Sequence, residues 1–305
     1  MTAALTESAR ASANAGIAAC AAELVAAGCL EIGIEARAEI PAIASLLPVG
    51  ARVYVNHSPR HALADALPAL AALHDAGLDP VPHIAARRVL SRGEVRAFLE
   101  QATAQCGVSR VLLVGGDDPQ PRGPYDSGAA LLRDGLLAQS DVREIGVPGY
   151  PEGHPRIEAA VLAQALREKL SLATAQGLGF HMVTQFSFAP ARVIEHCAML
   201  ARELPGLPLY VGMAGPTSAA TLLRFAQRCG VSASLRALKD QGMATVKLVT
   251  HTDPGEQLAA VAHYCAAHAS CNVVGVHVFS FGGATRSAAW MAKAIADGAA
   301  PRETA

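Results

Sequence analysis

The sequence predicts a single-domain α/β fold, a (β/α)8 TIM barrel, and three observations predict it. Short apolar runs of strand length recur along the chain, each followed by a polar corner and then ten or more residues of helical spacing. Eight such runs fit into 305 residues, a length suited to this barrel. Polar residues gather where the runs end, at Glu35, Asn56 with His57, His83, Asp117, Tyr150 with His154, Gln185 and Ser280. Barrel sites sit at those strand ends. A doubly wound sheet shares the periodicity, but no GxGxxG follows the first run.

Taken in order, residues 1–28 read as an N-terminal helical extension. Its apolar part, AGIAACAAELVAAG, has no cationic segment before it and is interrupted by Glu23, so it reads as a small-residue helix packed on the domain rather than a secretory signal. The strands are then LEIGIEA (30–36), RVYVNHS (52–58), PVPHIAA (80–86), RVLLVGGD (110–117), REIGVPG (143–149), FHMVTQFSF (180–188), LPLYVGMAG (207–215) and VVGVHVFSF (273–281). Helical patterns lie between them, among them HALADALPALAALHDAG, VRAFLEQATAQCG, IEAAVLAQALREKLSLATA and SAATLLRFAQRCG, the last stopping at a Gly230 C-cap. The longer segment 232–272 reads as two short helices, or as an inserted turn and a helix. No Pro/Gly/Ser linker divides the chain, so 1–305 is one barrel domain.

Composition narrows the partners. The chain is 51% hydrophobic and 17% charged, an ordinary globular balance. A formal charge of -1 without a Lys/Arg cluster gives no footprint for nucleic acid or an anionic membrane. No run is long enough to span a bilayer. Seven cysteines without a CxxC pair fit reduced thiols and a cytoplasmic location better than a disulfide framework. The nearest approach to a metal motif, His263, Cys265, His268 and Cys271, does not share one helical face, so no metal is expected. No GxSxG is present, and a homo-oligomer stays open.

Alternation along the first strand puts Glu31, Gly33, Glu35 and Arg37 on one face, and directs Glu35 inward near the barrel mouth. A carboxylate desolvated there would have a raised pKa suited to a general acid; an ion pair with Arg37 is the structural alternative. VGGDDP ends the fourth strand with a glycine pair, Gly115 and Gly116, that lets a ligand approach the backbone before Asp117, although DDP is also an ordinary turn. Gln185 offers an amide able to read a heterocycle, or a structural one. FSFGGATRS after the eighth strand resembles a phosphate corner, with Arg286 in reach.

Four segments in this order resemble the methylenetetrahydrofolate reductase family over nearly the whole chain. GYPEGHP resembles its A-Y-P-E-x-H-P corner after the fifth strand, VTQFSF its I-T-Q-F-F-F sixth strand, VGGDDP its L-R-G-D-x-P fourth, and IGIEA stands where it has S-F-E-F. The resemblance implies a flavin-dependent oxidoreductase of one-carbon metabolism that interconverts 5,10-methylene- and 5-methyltetrahydrofolate. It implies Glu35 as general acid, Asp117 between flavin and folate, and Gln185 on the pterin. It implies FAD contacts from Asn56, His83, Gly116, Asp117, Tyr125, Tyr150, His154 and Lys169, with NAD(P)H as electron donor.

The chain also departs from that pattern. Gly115 stands for the family's Arg before Gly-Asp, Asn56 for a Thr, Leu162 and Ala165 for an Asp and an Asn, Ala219 for an aromatic clamp, and HVFSFGG for H-F-Y-T-L-N-R. These departures keep direct hydride transfer from NAD(P)H, without flavin, as the alternative. Two other readings remain: a lyase or aldolase of a phosphorylated metabolite using the FSFGG corner, and a non-enzymatic folate-binding protein.

Overall fold

The computed structural model describes residues 15–229, 231 and 254–299. Eight parallel strands close into a barrel in sequence order, with the eighth pairing back onto the first. They are β1 (Cys29–Ile32), β2 (Arg52–Val55), β3 (Asp79–Ala85), β4 (Arg110–Val114), β5 (Glu144–Gly149), β6 (Gly179–Thr184), β7 (Leu209–Ala214) and β8 (Val273–Phe279). All eight expected strands are present, but most end earlier than their apolar runs. β1 stops at Ile32 rather than residue 36, and a 3-10 helix, Ile34–Glu39, follows at once. β6 stops at Thr184 rather than residue 188. The reason is common to both: apolar residues past the last ladder bond still pack against the rim, so hydrophobicity outruns pairing.

The helices are α1 (residues 15–26), α2 (Ile40–Leu46), α3 (Leu67–Asp75), α4 (Arg92–Cys106), α5 (Gly128–Arg133), α6 (Ala159–Ala175), α7 (Pro190–Glu203), α8 (Ala219–Arg228), α9 (Gly255–Ala267) and α10 (Ala284–Ala299). Their ends are written in the sequence. Ser91 caps α4 by accepting from Glu94 N at 3.1 Å, Glu94 Oε2 accepts in return from Leu90 N at 2.6 Å, and Gly107 closes the helix at φ +63. Prolines open α2, α3 and α7, where the missing N–H costs no helix bond. α1 packs against α10 so closely that a Cβ on Gly298 would stand 2.2 Å from Ala22. The Gly230 cap and residues 232–253 lie outside the described residues; within the remainder of that segment, α9 is the expected helix.

The main core lies between strands and helices and is aliphatic, with Leu30, Ile32, Val53, Leu70, Ile84, Leu113, Ile145 and Val276 fully buried. Each such side chain contributes ~1.5–3 kcal/mol relative to exposure. The barrel interior differs. Cys29, Tyr54, Val81, Leu112, Val183 and Tyr210 form a middle layer, and charged groups stand above and below it. Among the described residues no helix is long and apolar enough to cross a membrane.

Candidate active site at the barrel mouth

Glu31, next to last in β1, reaches into the barrel and is nearly buried. Its Oε2 lies 3.1 Å from His277 Nε2 on β8 and 3.4 Å from His83 Nε2 on β3, and the Asn56 side chain also hydrogen-bonds to it. The other ring nitrogen of His277, Nδ1, is 3.1 Å from Cys29 Sγ. Burial by itself would raise the Glu31 pKa, but His83, His277 and the Asn56 hydrogen bond outweigh it and the net direction is downward. Burial likewise opposes a charge on His277; Cys29 and Glu31 on its two nitrogens overcome it and lift the imidazole to about 9. His83 is dominated by burial and falls to about 4. Near neutral pH the cluster therefore holds a carboxylate, an imidazolium and a neutral imidazole.

A second group forms where β4 and β5 end. Gly153 N donates to Tyr150 O at 2.9 Å, and Gly153 takes φ +78, which closes the GYPEG turn. The Tyr150 and His154 rings meet edge to face at 5.0 Å. Burial, with the negative charge of Asp117, pushes the Tyr150 hydroxyl up to about 12. Arg156 ties the two corners together, with Nη2 3.5 Å from Asp117 Oδ1. Arg88 joins this group to the first: its Nε donates to Asp118 at 2.7 Å, while its Nη1 donates to the carbonyl of His57, next to Asn56.

The third side of the mouth is aromatic. Gln185 Oε1 accepts from Phe186 N at 3.1 Å, which leaves its amide nitrogen to donate elsewhere. Phe186 packs edge-on against Phe279 and Phe281 at 6.0 and 5.2 Å, and Phe279 meets the His277 ring at 4.6 Å. Phe281 is the one non-glycine residue with positive φ, at 47, among the described residues.

The structure brings Asn56, His83, Gly116, Asp117, Tyr150, His154 and Gln185 to the mouth, sets Glu35 on an exposed turn just past the end of β1, and leaves Tyr125 and Lys169 elsewhere. Glu35 is on the 3-10 helix, with its side chain 65% exposed and its Oε1 3.3 Å from His61 Nε2. The expected inward, desolvated Glu35 is corrected because β1 ends at Ile32 before the alternation reaches it. Glu31, on the same predicted face, takes the inward place; a lone carboxylate inside the apolar run LEIGI was the available signal. Tyr125 is buried below the β4 corner, where its hydroxyl donates to Asp134 at the end of α5. Lys169 lies ten residues into α6, ~15 Å along the axis from that helix's start at 1.5 Å per residue. Burial lowers its pKa to about 8.

His277, Cys29 and Tyr54 were not anticipated as site residues. The FSFGG corner is also not an open anion site, because Glu39 Oε2 already accepts from Thr285 N at 2.9 Å and Thr285 Oγ1 at 2.7 Å. A carboxylate there repels phosphate. No three His, Cys, Asp or Glu side chains among the described residues form a metal site.

The flavin that the resemblance implies can be tested against this geometry. His83 Nε2 is buried without a hydrogen-bond partner, its 3.4 Å approach to Glu31 being too long and poorly aligned for one. Gly115 has open space where a Cβ would stand, and Gly116 adopts φ +92 against Ala85 and Arg87. An unmatched polar atom and an unfilled backbone cradle beside Asp117 fit the ring end of a flavin. The nearest cations fit a diphosphate less well: Arg87 is committed to the carbonyls of Asp118, Pro119 and Asp126, and Arg88 to Asp118.

Comparison with solved structures supports the architecture. A protein from Clostridium thermocellum, described as uncharacterized and binding two copies of 5-methyl-5,6,7,8-tetrahydrofolic acid, superposes with TM-score 0.61 at 13% identity, over 88% of this chain and 95% of that one. A dihydropteroate synthase from Thermus thermophilus in complex with 6HMPPP aligns at TM-score 0.45 and 15% identity, over 88% and 93%, a likeness too low to bear on function. The family model for methylenetetrahydrofolate reductase matches residues 57–285, which run from the loop after β2 to the start of α10 and include most of the mouth. The chain belongs to the methylenetetrahydrofolate reductase family.

Proposed function

We propose that this chain is a cytoplasmic oxidoreductase that interconverts 5,10-methylenetetrahydrofolate and 5-methyltetrahydrofolate by hydride transfer. The observation that carries the reading is Glu31, held between His277 and His83 at the mouth, with the open glycine cradle before Asp117 following the strand next to that of His83. Family membership and a folate-binding protein of the same fold agree with it.

Reduction of the methylene compound needs a proton at N10 to open the five-membered ring and a hydride at the exocyclic carbon. Glu31 Oε2 and His277 Nε2 share a proton across 3.1 Å, and this pair supplies it to N10; in the oxidising direction the same pair takes it back. Asp117 orients the folate, and Gln185 hydrogen-bonds the pterin through the amide nitrogen that Phe186 leaves free. The aromatic wall of Phe186, Phe279 and Phe281 keeps water from one side of the reacting carbon.

FAD would be held at its ring end by Asn56, His83, Gly116 and Asp117, with Tyr150 and His154 flanking it. When bound, the reduced flavin supplies the hydride, replenished from NAD(P)H. The departures from the family pattern at Gly115, Asn56, Leu162 and Ala165 keep direct transfer from NAD(P)H as the second reading. The visible spectrum of the purified protein, followed anaerobically on adding NADH or methyltetrahydrofolate, separates them. A yellow protein that bleaches with both is expected. A colourless protein that still reduces methylenetetrahydrofolate with NADH would replace the flavin route by the direct one. Folate binding without turnover by any donor would leave a binding protein and remove the enzyme.

A further inference from the structure

Four of the seven cysteines gather at the opposite, N-terminal end of the barrel, away from the folate site. Cys20 is on α1, Cys197 on α7, Cys265 in the last turn of α9 and Cys271 just before β8, near enough for mutual electrostatic influence. Cys197 is buried; the other three are partly open to solvent. Cys265 Sγ and Cys271 Sγ are 3.0 Å apart, roughly 1 Å beyond the ~2.05 Å of a disulfide bond. The backbone fixes this approach. His268 N donates to Cys265 O at 3.3 Å, and Cys271 N donates to His268 O at 2.9 Å, so two successive turns fold residue 271 back onto residue 265. The His268 ring is anchored by its Nδ1 on Tyr264 O at 2.8 Å.

We propose that Cys265 and Cys271 are a peroxide-oxidisable dithiol that closes reversibly into a disulfide, pinning the end of α9 to the start of β8. The two sulfurs are not equivalent. The contact with Cys265, the Val273 backbone and the nearby His268 lower the Cys271 thiol although burial opposes it, while the same contact and burial raise Cys265. Cys271 thiolate is thus the attacking group. It takes one oxygen of hydrogen peroxide, the O–O bond breaks, and the other oxygen leaves as water once protonated, giving a sulfenic acid. Cys265 sulfur then attacks the Cys271 sulfur, the S–O bond breaks, and a second water leaves with the Cys265 proton. Two thiols and one peroxide become one disulfide and two waters. A thiol reductant reverses the closure, as a reducing compartment demands.

The wild-type chain tests this without reference to folate. Treat it with one equivalent of hydrogen peroxide, block the remaining thiols with N-ethylmaleimide, and analyse the tryptic peptides by mass spectrometry. Both cysteines lie in the single peptide between Lys247 and Arg286. That peptide is expected to be two hydrogens lighter and unlabelled, to regain both labelling sites after dithiothreitol, and to belong to a protein with a higher melting temperature than the reduced form. In Cys265→Ser the sulfenic acid has no resolving thiol, and dimedone should trap it on Cys271. Full labelling of both cysteines after peroxide, or a bridge from Cys271 to Cys197 or Cys20 instead, overturns the proposal.

Discussion

Among the described residues, Glu31 and Glu144 stand at opposite ends of the barrel interior and keep different company. Glu144, at the start of β5, takes a hydrogen bond from Arg110 Nε at 2.7 Å and stands 2.6 Å from His181 Nδ1. Arg110 in turn holds Asp79 at 2.6 Å. The contact with His181, reinforced by Arg110, keeps Glu144 at about 2, permanently ionised. Among the described residues, the side chains that meet Glu31 at the mouth are two imidazoles and an amide. Arginine cannot release its proton, whereas histidine exchanges one near physiological pH. Arg110 therefore keeps a fixed positive charge beside Glu144 and His181 in the lower cluster, whereas the upper cluster pairs its carboxylate with imidazoles and an amide, at the end of the barrel where a substrate would arrive.

Removing each carboxylate should break this symmetry in opposite ways. Glu31→Gln is expected to lower folate turnover by ~10²–10⁴-fold, the range of general acid–base catalysis, while exposed Glu35→Gln stays near wild type in steady-state kinetics. If Glu35→Gln were the variant that lost turnover, the proton donor would lie outside the barrel. Glu144→Gln should instead leave Arg110 and His181 short of a charged partner and cost ~1.5–3 kcal/mol in the urea unfolding free energy, with turnover little changed per folded molecule. Glu31→Gln should be milder on that scale, because His277 can shed its proton when its counter-charge is gone.

A further difference lies in the pH dependence. His277 is raised from 6.5 to about 9, so its stabilising contribution is fully present below ~6.5 and is lost as pH rises through about 9. His83 is lowered to about 4 and acts oppositely: the unfolded chain takes up a proton that the folded one refuses as pH falls from ~6.5 toward 4. Urea midpoints should peak near neutral pH, and in Glu31→Gln the alkaline decline should flatten. An unchanged alkaline limb in that variant would mean that Glu31 does not sustain the His277 charge.

The aromatic side of the mouth sharpens the contrast further. Phe281 is held at a positive φ that costs a β-carbon-bearing residue energy, against the stacked ring of Phe225 at 4.3 Å. The ionic side has no comparable strain among the described residues. One wall is fixed by hydrogen bonds, the other by ring packing.

Much of this was legible in the chain. Strand-length apolar runs separated by helical spacing give eight βα units, and alternation gives the inward face of each strand, since both depend only on local geometry and burial. The polar corners at Asn56, His83, Asp117, Tyr150 and Gln185 stand at the mouth because each lies at or near the end of its own strand. What the chain left open was where pairing stops. A strand ends where its neighbour can no longer supply hydrogen bonds, so the choice between Glu31 and Glu35 depended on β2 and β8, which pair with β1 only through Ile32 and Glu31. In the same way, barrel closure alone sets His277 beside Glu31 and Cys29, residues separated by 246 and 248 positions. Local sequence thus determines which side chains face inward; only the closed sheet decides which of them touch, because each contact requires two distant strands to share one axis.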